Sequence, residues 1–302
     1  MRPKSAKARD CESAIAEQLS TSRLGRPVTF FPAIDSTNNY ALKVSGGEES
    51  HGRLLVADRQ SAGRGRRGRH WLSRPGADLL FSLILYPPAP QEKWPLLTLL
   101  FAAAVCETLE ERLGLKAKIR WPNDVLVGGK KVCGILTEVA AFEQAAAFEQ
   151  EGAFEQEVGP DRLIGSNQRL VLGVGLNVNS ASTAWPAELQ ATATTLKEER
   201  RGRSLRRWPL LNALLLRFER LYEAFCNGDT STTDHACRRW MSVLGRLVEV
   251  RLADRTLRGA ALELEERGGL VVREDSGATT VLHCGDVVEI RPKEQAEVIR
   301  NE

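Results

Sequence analysis

Between positions 63 and 69 the chain reads Gly-Arg-Gly-Arg-Arg-Gly-Arg, three glycines and four arginines in seven residues, with Trp71 close behind. Glycine lets the backbone turn and present its N–H groups without a Cβ in the way. Arginine adds fixed charge and forked donors that match phosphate and carboxylate oxygens. The flanks have the opposite character. Leu54-Leu55-Val56-Ala57 precedes the run and Asp78-Leu79-Leu80-Phe81-Ser82-Leu83-Ile84-Leu85 follows it, and both read as buried strands. A solvated basic patch or a nucleic-acid contact would not need such a frame. A cationic loop slung between two core strands is a ligand loop for anions.

The positive charge is local. The 302 residues carry 42 Lys and Arg against 39 Asp and Glu, a net charge of +3, so no global field calls for nucleic acid or a membrane surface. A small anionic substrate suits the loop better than a polyanion. An apolar fraction of 42% with 27% charged residues is that of a soluble globular chain. The length allows one large domain and one small one. Six cysteines, at 11, 106, 133, 226, 237 and 284, form no C-x-x-C pair, and the four histidines show no ligand spacing. Neither a disulfide framework nor a metal held by side chains is expected, and the context is a reducing cytoplasm. Residues 1–12 lack an apolar signal core, and the apolar run from Leu96 to Cys106 is too short to cross a bilayer.

Punctuation divides the chain. Residues 1–27 read as a loosely ordered lead with one short helix, too little for a helix-turn-helix domain. Residues 28–240 read as an α+β domain built on a mixed sheet. In it, Thr29-Phe30-Phe31 is a strand and Asp35-Ser36-Thr37-Asn38 offers N-caps for a helix. Trp94-Pro95 and Trp208-Pro209 open two Leu-rich helices that Gly114 and Asn227-Gly228 close. Between them lie strands at 118–121, 125–127, 132–139 and 170–178, with Gly128-Gly129 as a hairpin turn. Residues 141–157 interrupt the pattern with three copies of Ala-Phe-Glu-Gln, a low-complexity insertion at a hairpin tip. Residues 241–302 hold five short alternating runs separated by turns, which predicts a small all-β barrel.

Four motifs stand in order: Asp35-Ser36-Thr37-Asn38; the 63–69 loop; Arg120-Trp121-Pro122-Asn123-Asp124 leading to Lys131-Val132-Cys133-Gly134-Ile135-Leu136; and Gly173-Val174-Gly175-Leu176-Asn177-Val178-Asn179. Together they resemble the biotin–protein ligase family, from about Phe31 to Asn179. The resemblance implies a catalytic domain like that of class II aminoacyl-tRNA synthetases and biotin synthetases, followed by an SH3-like barrel. It implies a two-step reaction: biotin and ATP give biotinyl-5′-AMP and pyrophosphate, with Mg²⁺ assisting. The biotin then passes to a lysine of the biotin carboxyl carrier protein of acetyl-CoA carboxylase or a related carboxylase. The short lead implies the monofunctional type, without DNA binding; a homodimer is left open.

The resemblance also distributes roles. Ser36, Thr37, Asn38 and Gln60 would contact biotin's fused ring. Gly63, Arg64, Gly65 and Arg66 would wrap its carboxylate, with Lys131 and Gly134 beside it. Lys131 and Arg66 would act on the reacting groups. Arg66, Arg67, Arg69, Trp71, Asn123, Asp124, Asn177 and Arg291 would lie on the nucleotide side. Packing of Trp71 in the core, a structural turn at 122–124 and a structural role for Asn177 are equally compatible with the residues. Arg120 departs from the lysine usual before W-P-N-D, and the 141–157 insertion has no counterpart in the family. A lipoate or octanoate ligase or transferase of the same fold is the alternative. The loop is expected to order only when ligand arrives, since glycine and mutually repelling arginines disfavour a fixed empty form.

Overall fold

The computed structural model describes residues 6–44, 46–141 and 168–289. The Ala-Phe-Glu-Gln repeat from position 142 onward and Arg291 lie outside these residues. In chain order the elements are α1 (Ala6–Gln18), β1 (Val28–Phe31), α2 (Thr37–Lys43), β2 (Leu54–Ala57), β3 (Leu79–Leu85), α3 (Pro95–Leu113), β4 (Ala117–Arg120), β5 (Asp124–Val127), β6 (Lys130–Ala141) and β7 (Gln168–Leu176). Then come α4 (Ala187–Thr192), α5 (Leu196–Glu199), α6 (Arg207–Cys226), α7 (Thr230–Trp240) and the strands β8 (Leu247–Arg251), β9 (Thr256–Leu264), β10 (Leu270–Glu274), β11 (Thr279–Leu282) and β12 (Asp286–Glu289).

Strands β1 to β7 form one mixed sheet in the order β1-β2-β3-β7-β6-β5-β4, parallel only between β1 and β2. Alternation along each strand gives it two faces. Phe81, Leu83, Leu172, Val174, Cys133 and Ile135 join the large core that includes α3 and α6. On the other face Leu55, Ile84 and Val171 meet Ala41 of α2 in a small separate cluster. Past that cluster the same face carries glycine: Gly134 stands opposite Gly175, and Gly173 opposite Leu136. The sheet is thick with side chains on one side and locally bare on the other.

Residues 6–27 of the lead are more ordered than the sequence suggests. In α1, Ala8 and Ile15 are buried, and Leu19 and Leu24 join the main core. Only two buried residues in 13 left little apolar periodicity to read. The lead is fixed by Glu219 of α6, whose carboxylate accepts from the backbone N–H groups of Ser22, Arg23 and Leu24 at 2.7, 2.7 and 2.8 Å. Replacing Glu219 by alanine leaves three donors unmatched in a largely buried place. About 3 kcal/mol of stability is expected to go, read as a fall in urea midpoint with an unchanged slope.

Strands β8 to β12 make a second, wholly antiparallel sheet in the order β11-β10-β9-β8-β12. Among the described residues no ladder joins β11 to β12, so the expected barrel is an open five-stranded sheet. It is anchored to the first domain by Trp121, whose buried Nε1 donates to Gly268 O at 2.9 Å.

Candidate active site

The site lies on the bare face of the first sheet, in a cavity of about 260 Å³. Its first wall is the start of α2. Ser36 caps the helix by accepting from Asn39 N, as its hydroxyl predicts. The N–H of Thr37 donates to Gln60 Oε1 at 2.7 Å, and its hydroxyl lies 3.1 Å from the same oxygen. The Asn38 amide donates through Nδ2 to Leu136 O and Glu138 Oε2, at 3.2 and 2.9 Å. Asn38 Oδ1 accepts from the buried Ser82 hydroxyl at 2.6 Å.

The basic loop folds back on itself as a narrow hairpin. Trp71 N donates to Gly63 O and Gly65 N to Arg69 O, at 2.9 and 2.7 Å, and the tip turns through left-handed conformations at Arg67 and Gly68. Gly63 is buried outside the cavity lining, because it forms the hairpin base; a Cβ there would meet Trp71 O at 2.5 Å. The four arginines diverge. Arg64 Nη2 pairs with Glu138 at 2.8 Å. Arg66 Nη1 donates to Asn123 Oδ1 at 3.0 Å and to Gly285 O at 3.4 Å. Arg69 pairs with Asp286. Arg67 pairs with Asp286 at 3.4 Å and donates to Arg251 O at 3.1 Å, which turns it away from the cavity. Three of the four thus reach the second sheet or its turns.

Trp71 lies on the glycine floor. A Cβ on Gly175 would meet its Cζ2 at 2.7 Å, and one on Gly134 its Cζ3 at 2.9 Å. Its buried Nε1 has no hydrogen-bond partner. Lys131 Nζ sits 5.4 Å from the ring centroid, within cation–π range.

A bulge at Val132 shifts the β5–β6 register, pairing Val125 with Cys133 but Leu126 with Lys131. Bulges re-aim side chains, and here Lys131 reaches Asp124 Oδ1 at 2.6 Å. Arg120 holds the other oxygen of Asp124 at 2.7 Å. Burial pushes the Asp124 carboxyl up, but the Lys131 and Arg120 charges outweigh it and hold it below the ordinary range. The neighbouring Lys130 is exposed and donates to Gln190 O at 3.0 Å. Asn123 is doubly engaged, with Nδ2 on Ile135 O and Oδ1 receiving Arg66. Asn177 also lines the cavity, yet its Nδ2 is committed to Thr194 O at 3.1 Å.

Ser36, Thr37, Asn38, Gln60, Arg64, Gly65, Arg66, Arg69, Trp71, Asn123, Asp124, Lys131, Gly134 and Asn177 therefore share one cavity. Gly63 and Arg67 do not line it. The residues that sequence reasoning missed are Glu138, Asp286 and the rim pair Trp185 and Leu189. A tryptophan in the polar stretch after Ser180 was the one local hint.

Five cationic side chains line the cavity against the two carboxylates of Asp124 and Asp286, so anions are favoured there. Arg66 is half-buried: burial pulls its guanidinium below the ordinary value, against the charge of Asp286. No group of three or more His, Cys, Asp or Glu side chains among the described residues could cage a metal. Magnesium does not fit here as a protein-held ion, since Asp124 is already matched by two cations; it would arrive on the nucleotide's own oxygens.

A profile of the Biotin/lipoate A/B protein ligase family matches residues 30–148. The chain is 33% identical over 266 residues to the Bifunctional ligase/repressor BirA of Bacillus subtilis, covering 88% of this chain and 75% of that protein. It is 28% identical over 287 residues to the Biotin--[acetyl-CoA-carboxylase] ligase of Mycobacterium tuberculosis, covering 93% and 96%. The fold superposes on the biotin protein ligase from Aquifex aeolicus solved with biotin and ATP, with a TM-score of 0.65, 28% identity and coverage of 87% and 98%.

Proposed function

The chain belongs to the biotin protein ligase family, and on that premise we propose a division of labour among the residues of its cleft. The enzyme activates biotin with ATP to biotinyl-5′-AMP and transfers the biotin to a biotin carboxyl carrier domain. The finer identity we propose for that carrier is the one of acetyl-CoA carboxylase or a related carboxylase.

In the first step a carboxylate oxygen attacks the α-phosphorus and the bond to pyrophosphate breaks. In the second, a lysine amine attacks the acyl carbon, the acyl–phosphate bond breaks and AMP leaves. Bringing two unit negative charges to about 4 Å costs roughly 1 kcal/mol in water and about 4 kcal/mol at an effective dielectric near 20. Fixed cations must offset this where the charges meet. The observation that carries the reading is that Lys131 and Arg66 line one cavity together with the glycines Gly134 and Gly175.

In this reading the fused ring lies against Ser36, Thr37, Asn38 and Gln60. Its carboxylate reaches past Gly65 toward Lys131, whose ammonium is presented by Asp124. Arg66, steadied by Asn123, faces the phosphate, and Arg69 exchanges Asp286 for the leaving pyrophosphate. Trp71 covers the floor and offers its ring edge to the nucleotide side. Mixing the protein with biotin, Mg-ATP and a carrier domain should give a streptavidin-reactive band with AMP and pyrophosphate released. A blank lane with neither product would sink the reading.

Arg66 also seals the product. Its guanidinium is half-buried and bridges the loop to Asn123 and Gly285. A charged hydrogen bond of this kind contributes about 1.5–3 kcal/mol. The Arg66→Gly variant is accordingly expected to release free biotinyl-AMP at least about tenfold faster. Chromatography of the supernatant checks this, and unchanged escape refutes the sealing role.

A further inference from the structure

We propose that Glu138, which no motif singled out, is a positioning residue that sets the hydrogen-bond polarity of the biotin pocket. The inference rests on the ligase reading and deepens it. Glu138 lies two residues beyond Leu136 and four beyond Gly134 on β6, so all three share the cleft face, whereas Thr137 points the other way to bond Thr98 of α3. Its carboxylate makes three contacts. Oε1 pairs with Arg64 Nη2 at 2.8 Å, and Oε2 accepts from Arg64 Nη1 at 3.1 Å and from Asn38 Nδ2 at 2.9 Å.

An ionised carboxylate only accepts. It therefore compels the Asn38 amide to turn its NH2 toward β6 and its carbonyl toward Ser82. Both amide hydrogens are then spent, on Glu138 and on Leu136 O. The Ser82 hydroxyl lies between Asn38 Oδ1 and Thr37 Oγ1, at 2.6 and 2.7 Å. Thr37 in turn occupies Gln60 Oε1 through its backbone N–H. One chain of contacts thus runs from Arg64 to Gln60 and fixes which atoms remain for a ligand's ureido group. The same carboxylate draws the Arg64 guanidinium against the wall, with Asn39 Oδ1 as a further partner at 2.9 Å. Arg64 thereby ties the loop to the wall at the ring end, while Arg66 and Lys131 serve the reacting end.

The test compares Glu138→Gln with Glu138→Asp. Glutamine keeps the shape and adds a donor; aspartate shortens the side chain and keeps the acceptor. Biotin alone is titrated calorimetrically into each full-length protein, and the KM for ATP is measured separately. The expected order of Kd is wild type, then aspartate, then glutamine, with the glutamine variant weaker by about tenfold or more and the ATP KM within about twofold of wild type. A packing role predicts the reverse order of the two variants. Glutamine binding as tightly as wild type or better than aspartate, or a parallel rise in the ATP KM, overturns the assignment. A glutamine variant that does not fold overturns it too, by making Glu138 a scaffold residue. A wild-type protein blind to biotin would bring down the ligase reading itself; normal wild-type binding with a flat series removes this inference alone.

Discussion

Replacing Lys131 by alanine is expected to cut adenylate formation by roughly 10²–10³-fold, the usual cost of losing one preorganised charge donor at a reacting centre. The effect should fall on the chemical step, because the ammonium meets the charge that gathers as carboxylate and phosphate close. Arginine at this position is not expected to restore the rate, since its fork is broader and its charge diffuse. The paired variant Lys130→Ala is the control: Lys130 points out of the cleft to Gln190 O and should behave as wild type. Single-turnover release of pyrophosphate separates the two, and a normal burst from Lys131→Ala would remove the residue from the mechanism. Stability should move by only about 1–2 kcal/mol, because Arg120 still holds Asp124.

The variant should also alter the acid limb of stability. Asp124 is held below its ordinary value of 3.8 in the folded protein. A depressed carboxyl contributes stability that is present above its unfolded value and is lost as pH falls through its folded value. The wild-type protein therefore loses this contribution below about pH 3.8, and Lys131→Ala should lose less of it there.

The second large effect belongs to Gly175. A methyl group there would lie within 2.7 Å of the Trp71 ring, and the ring cannot simply slide away. Trp71 N is tied to Gly63 O at the base of the loop hairpin, so lifting the indole drags the loop and its arginines with it. Gly175→Ala is expected to lower kcat/KM by at least about 100-fold, since small displacements of positioned groups have that scale. Overpacking should cost about 1–3 kcal/mol besides. Gly114→Ala offers the contrast. That glycine ends α3 at φ 67° with no atom near its missing Cβ, so it should lose stability with kcat/KM intact. Equal activity losses in the two variants would mean the floor has no special role.

Much of this was legible in the chain because it is local. The DSTN cap, the two punctuated helices, the Gly128-Gly129 hairpin and the strands around the loop follow from neighbours in sequence, and the structure has them where the pattern put them. That Lys131 and Gly134 would share one cleft was implied by the family resemblance of the motifs rather than by their spacing. What stayed hidden are partners set by the fold. Arg64 and Glu138 are 74 residues apart, and Arg69 and Asp286 are 217 apart. No periodicity links them, and each acid alone looks like an ordinary solvated charge. The bulge at Val132 was equally invisible, because it depends on register with β5. The second sheet gave its strands but not its closure, since alternating runs specify a face without specifying which edges meet.

Gly134, Gly173 and Gly175 have one further consequence, for anyone wishing to reshape the specificity of this enzyme. Pockets are commonly enlarged by trimming the residues beneath them, but a surface of bare backbone has nothing left to trim. Room for a bulkier vitamin analogue must be found sideways, in α2 or the basic loop. Those are the parts whose side chains also orient the natural substrate, so widened tolerance and weakened grip should come together.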